Sequence, residues 1–96
     1  MPRFTVGFSD KALKEWNKLD STIRLQFAKK LKERLGLPRI EADRLRGMPD
    51  CYKIKLRSAG YRLVYKVVDQ RLVVTVIAVG KRERSDVYEE ARKRLE

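Results

Sequence analysis

Apolar residues recur at every second position on either side of a glycine: Tyr52, Ile54 and Leu56 precede Gly60, and Tyr61, Leu63, Tyr65 and Val67 follow it. Successive side chains of a strand point to opposite faces, so each apolar set lines one face and the interleaved residues line the other. Two such runs around a glycine predict a β-hairpin. The apolar sets meet on one core face only if an even number of residues makes the turn. A two-residue turn at Ala59-Gly60 sets Arg57 across from Arg62, Lys55 from Val64 and Lys53 from Lys66. The opposite face is then cationic. Like charges facing one another cost stability, and no Asp or Glu lies between Cys51 and Val68 to relieve them. A merely solvated face mixes both signs, so this one is expected to meet an anion.

The rest of the chain supplies partners for the hairpin. Phe4, Val6 and Phe8 alternate as a half-buried strand, and Ser9 or Asp10 offers a cap to a following helix whose apolar face is Leu13, Trp16 and Leu19. After Asp20-Ser21, Ile23, Phe27, Leu31 and Leu35 recur at four-residue spacing, which predicts a second helix ended by Gly36 and Pro38. A polar connector leads to Pro49. Beyond a turn at Asp69-Gln70, the run from Leu72 to Val79 is apolar on both faces, as in a strand with neighbours on both sides. From about Ser85 a last helix carries Val87, Ala91 and Leu95 on one stripe. The order β-α-α-β-β-β-α predicts an α+β fold: a mainly antiparallel four-stranded sheet, a helical hairpin on one face and a C-terminal helix.

A chain of 96 residues is expected to form one domain, 1–96, with one site. Its 24 Lys and Arg against 13 Asp and Glu leave a net charge of +11, which calls for a polyanionic partner. The run Leu72 to Val79 is far too short to cross a bilayer. Met1-Pro2-Arg3-Phe4-Thr5 shows no signal-peptide pattern, so a cytoplasmic protein without membrane association is expected. The lone Cys51 forms no internal disulfide and is expected to be buried. With no His, the usual zinc spacings are impossible, and neither a metal nor another cofactor is expected.

An RNA-cutting enzyme without histidine needs other groups to take the 2′-hydroxyl proton, protonate the leaving oxygen and neutralise the phosphorane. Neighbouring cations disfavour one another's charge, which lowers a lysine toward the range of a working base. Arginine clamps phosphate oxygens bidentately, and a tyrosine ring stacks on an unpaired base. Such groups are concentrated on the hairpin and in the segment from Gly80 through the Lys81-Arg82-Glu83-Arg84 loop to Tyr88.

The stretches LRGMPDCYKIKLRSAGYRLVYKV, from Leu45 to Val67, and VGKRERSDVYEEA, from Val79 to Ala91, resemble the RelE toxins, and a weaker likeness extends over the helical hairpin. The resemblance implies a microbial-RNase-like fold of that family and a ribosome-dependent endonuclease that cuts messenger RNA in the A site. It also implies a 2′,3′-cyclic phosphate product and a silencing antitoxin of the RelB kind. Carried over by position, the catalytic set is Lys53, Lys55, Arg62, Arg82 and Tyr88. Lys55 is then the general base, Arg82 acts on the leaving oxygen, Lys53 and Arg62 stabilise the phosphate, and Tyr88 stacks. Arg82 is an awkward acid, because guanidinium gives up its proton reluctantly.

Arg46 resembles a further RNA-contacting position. Arg57, Lys66 and Lys81, with Lys11, Lys14, Lys18, Lys29, Lys30 and Lys32 on the helices, are candidates for contacts to messenger or ribosomal RNA phosphates. Val64, Val73, Ile77 and Val79 are expected to leave an apolar strip beside the cations, covered by the last helix or by the antitoxin. Two alternatives stand: a basic ribosome- or RNA-binding protein without chemistry, and a gyrase-poisoning toxin of the ParE kind, whose members lack the Lys-x-Lys and Arg set.

Overall fold

The computed structural model describes residues 3–82 and 86–96. Strand β1 (Thr5–Phe8) leads into helices α1 (Asp10–Asn17) and α2 (Ser21–Arg34). A connector with one short 3-10 turn, Glu41–Asp43, follows, then β2 (Cys51–Leu56), β3 (Tyr61–Val68), β4 (Val73–Lys81) and α3 (Val87–Leu95). The element order and α+β class are those expected, and the sheet runs β1-β4-β3-β2. β2–β3 and β3–β4 are antiparallel, whereas β1 joins β4 in parallel, so the sheet is mixed. β4 is therefore an inner strand, and its residues enter apolar clusters on both sheet faces, which accounts for its two apolar faces.

Local chemistry explains the element ends. Ser9 caps α1 by accepting the Ala12 N–H at 3.2 Å, and Asp86 caps α3 by accepting from Tyr88 and Glu89. The last helix thus begins two residues later than expected; Glu83, Arg84 and Ser85, including the second arginine of the loop, lie outside the described residues. On α1 the inward face is Ala12 and Trp16, with Leu19 buried just beyond its end, while Leu13 is 45% exposed. The short helix presents Ala12 to the core and leaves Leu13 facing away.

The sheet separates two apolar clusters. On one face Tyr52, Ile54, Leu56, Leu63, Tyr65 and Val67 pack with Ile23, Phe27 and Leu31 of the helical hairpin. On the other, Cys51, Val64, Ile77 and Ala78 pack with Val87 and Ala91 of α3 and with Leu45 and Met48 of the connector. The connector is thus not wholly polar. Ile77 and Ala78 share a face because a bulge opposite Val64 and Tyr65 inserts one residue into β4.

Two expectations are corrected here. The β2–β3 turn has four residues, Arg57 to Gly60, so Lys55 faces Arg62, Lys53 faces Val64 and Cys51 faces Lys66. The parity holds and the register moves by two. Gly60, at φ +73°, makes the left-handed step that closes this turn, its N–H donating to Leu56 O at 2.8 Å. The apolar strip is also not open: Val64 and Ile77 lie beneath α3, Val79 packs toward the helical hairpin, and Val73 is only half-buried at the β4 start. α3 is the cover, with Leu95 at its end 36% exposed.

Candidate active site on the cationic hairpin face

Strand alternation and the observed register bring Lys53 and Lys55 of β2 and Arg62 of β3 to the sheet face that carries α3. α3 covers only part of that face. Its first turn sets the Tyr88 ring 5.9 Å from Lys53 Nζ, within cation–π range. Arg82 follows the last residue of β4, and its backbone N–H donates to Gly60 O at 2.8 Å, joining the β4 end to the β2–β3 turn. That bond closes one end of a cleft of about 320 Å³ lined by Lys55, Arg57, Gly60, Arg62 and Arg82. Among the described residues no carboxylate lines it.

Charge density governs the electrostatics here. Lys53, then loss of hydration, then Arg62 and Arg57 hold the Lys55 ammonium below the usual lysine range, the direction a general base needs. Burial pushes the Tyr88 phenol up, against the opposing pull of Arg62 and Arg82, so it stays protonated. Its hydroxyl is shielded and has no hydrogen-bond partner among the described residues. Cys51 lies under α3 with its thiol pushed up to about 11 by burial, which fits an unreactive core residue.

The proposed catalytic five therefore fall together, but the wider RNA-binding set divides. Arg57 joins the cleft as a turn residue rather than as the cross-strand neighbour of Arg62. Arg46 borders a separate recess of about 610 Å³ with Arg44, Gly47 and Pro49. Lys66 lies at the far end of α3, beside Asp50, Arg92 and Glu96. Lys81 points to the helical-hairpin side, its Nζ 5.9 Å from the Tyr61 ring, and shares a recess there with Lys18. Lys11, Lys14, Lys29, Lys30 and Lys32 are exposed on α1 and α2, the helices packed on the opposite sheet face.

The chain as a whole is similar to known proteins. A family model described as the ParE toxin of type II toxin-antitoxin systems matches residues 6–86. The mRNA interferase toxin RelE of Escherichia coli K12 is 66% identical over 92 residues, covering 96% of this chain and 97% of that protein. The chain belongs to the RelE/ParE toxin family. A free E. coli RelE carrying two arginine-to-alanine changes superposes with a TM-score of 0.89 at 62% identity, covering 99% of this chain and all of that one. RelE in the intact E. coli RelBE toxin-antitoxin complex superposes at 0.80 and 65% identity, covering 84% and 99%. An archaeal RelE from Pyrococcus horikoshii, at 20% identity and a TM-score of 0.61, shares the fold alone. As in the expectation drawn from Leu45 to Val67, the likeness is to RelE toxins and covers nearly the whole chain. Among the described residues no helix is long and apolar enough to cross a membrane.

One residue that periodicity does not reveal belongs to the surroundings of this candidate site. Arg34, in the last turn of α2, reaches the back of β2 and donates to Lys53 O at 3.4 Å. Its neighbours in sequence mark it only as a helical cation, since nothing local tells which strand it touches.

Proposed function

We propose that this chain is the toxin of a type II toxin-antitoxin pair and a ribosome-dependent endoribonuclease that cuts messenger RNA in the A site, halting translation. The cleft lined by Lys55, Arg57, Arg62 and Arg82 carries this reading, alongside the near-full-length likeness to proteins named mRNA interferase RelE. Lys55 takes the proton of a 2′-hydroxyl, whose oxygen attacks the adjacent phosphorus. Lys53 and Arg62 neutralise the phosphorane oxygens, and the P–O5′ bond breaks to leave a 2′,3′-cyclic phosphate and a 5′-oxyanion, which takes a proton from water to become the 5′-hydroxyl. Arg82 stabilises the departing oxygen chiefly by charge, and Tyr88 stacks against a base to hold the attack in line. The four cations supply the charge stabilisation that a metal gives other nucleases, so cleavage needs no bound metal.

Arg46 and Arg57 extend the message-binding track beyond the reacting phosphate. The lysines of α1 and α2, with Lys18 and Lys81, form a second basic surface suited to ribosomal RNA, and Lys66 contributes charge at the far end of α3. An antitoxin of the RelB kind silences the toxin, acting in the cytoplasm, where messenger RNA is translated. Purified protein mixed with programmed ribosomes should leave new messenger ends in the A-site codon bearing a cyclic phosphate. Lys55→Ala should cut bound message about a hundredfold more slowly, the scale for removing a proton-transfer group. Intact message together with inhibited gyrase supercoiling would favour the ParE-type activity, and intact message on tightly bound ribosomes a non-catalytic binder.

A further inference from the structure

β2 is the outer strand of the sheet, so one of its edges has no strand to hold it. Carbonyls alternate along a strand, and on that open edge two are occupied from outside. Cys51 O accepts the Leu45 N–H at 3.0 Å, and Lys53 O accepts Arg34 Nη1. The same guanidinium donates to Tyr65 Oη at 2.8 Å and to Asp43 Oδ2 at 2.6 Å. Tyr65, wholly buried in β3, donates in turn to Pro38 O at 2.6 Å. One planar fork therefore joins the β2 edge at Lys53, two residues before the cleft's Lys55, to β3 and the connector.

Stability alone does not account for such a group. The side chains of Arg34 and Asp43 are 17% and 28% exposed, and an ion pair removed from water returns little net free energy against apolar residues of the same volume. Asp43 is also close enough to the site to be felt there: after burial and the opposing Arg62, it is among the charges that act on the Tyr88 phenol. Arg34 neutralises that carboxylate.

We propose that Arg34, braced by Asp43 and Tyr65, is a positioning residue that fixes the β2 edge at Lys53 and so aims Lys53 at the scissile phosphate. The proposal rests on the endonuclease reading above. Geometry of this kind matters because displacing a reacting group by about an ångström costs up to roughly a hundredfold in rate. Unlike Lys53, Arg34 never meets RNA.

A double-mutant cycle tests it, with single-turnover cleavage on saturating programmed ribosomes, ribosome affinity and thermal unfolding measured for every variant. Arg34→Met should slow cleavage about tenfold while changing affinity less than about twofold, the pattern of an interaction expressed in the transition state. Arg34→Lys should recover part of the rate. In a Lys53→Ala background the same Arg34→Met change should cost less than about twofold, because the group it positions is already gone. A merely structural role gives the same loss in both backgrounds, and that result overturns the proposal, as does a folded Arg34→Met protein cutting at the wild-type rate. If Arg34→Met does not fold, Asp43→Asn keeps an acceptor while removing the bracing charge. It should lose about threefold only when Lys53 is present, and equal losses in both backgrounds again overturn the idea. Wild-type protein that leaves bound message intact overturns the endonuclease and this proposal together, whereas wild-type cleavage with an unaffected Arg34→Met overturns the positioning alone.

Discussion

Removing Glu15 should loosen α3 without unfolding the rest of the protein. β1 pairs only with the first part of β4, leaving the later β4 backbone exposed on that side, and Glu15 and Arg94 close the gap. Glu15 accepts the Val79 N–H at 3.1 Å and two Arg94 bonds at 2.9 and 2.8 Å, while Arg94 also donates to Ile77 O at 2.8 Å. Each charge-assisted bond contributes about 1.5–3 kcal/mol when buried. Arg94 is 13% and Glu15 33% exposed, and Glu90 remains 3.4 Å from Arg94, so the sum is discounted. A loss of about 2 kcal/mol in α3 docking remains, and at about 1.4 kcal/mol per factor of ten it corresponds to roughly thirtyfold faster opening.

Hydrogen exchange of the free protein reads this directly: in Glu15→Ala the α3 amides should exchange about thirtyfold faster and those of α2, on the other sheet face, far less. Acid should mimic the substitution. Burial alone raises the Glu15 carboxyl, but Arg94 and the Val79 N–H outweigh it and hold it below the ordinary glutamate range. A depressed folded-state value means the contribution is full above the free-glutamate value and is lost as pH falls through the lowered one. Glu15→Gln should abolish that acid limb of α3 exchange. Less than threefold change in α3, or equal acceleration in α2, would refute the latch.

Phe27, wholly buried between Trp16 and the sheet, should cost about 3–5 kcal/mol when truncated to Ala, at about 4–8 °C in Tm per kcal/mol for a domain of this size; calorimetry decides. Tyr88→Phe should retain near-wild-type single-turnover cleavage if the ring only stacks, and a loss of about a hundredfold would instead assign its hydroxyl to proton transfer. Removing Lys11, Lys14 or Lys29 singly should flatten the salt dependence of ribosome binding by about one phosphate contact and leave cleavage of bound message unchanged; a fall in that cleavage rate would place these lysines in the chemistry.

The sequence by itself determined which residues share a face. Alternation in Tyr52 to Val67 carries parity, and parity alone gathers Lys53, Lys55 and Arg62 on the face opposite Tyr52, Ile54 and Leu56. Four-residue spacing likewise carries the buried side of α2, from Ile23 to Leu31. Parity cannot carry register, because moving the pairing by two residues leaves every side chain on its own face, and so the four-residue turn with Arg57 in it was decided by the structure. The parallel β1–β4 pairing, the exposure of Leu13 and the covering of Val64 and Ile77 by α3 depend on packing between segments far apart in the chain. So do the ties that finish the site: Arg34 meets Lys53 across 19 residues and Arg94 meets Glu15 across 79. No local period encodes such contacts, since each is set by where two elements come to lie on one sheet.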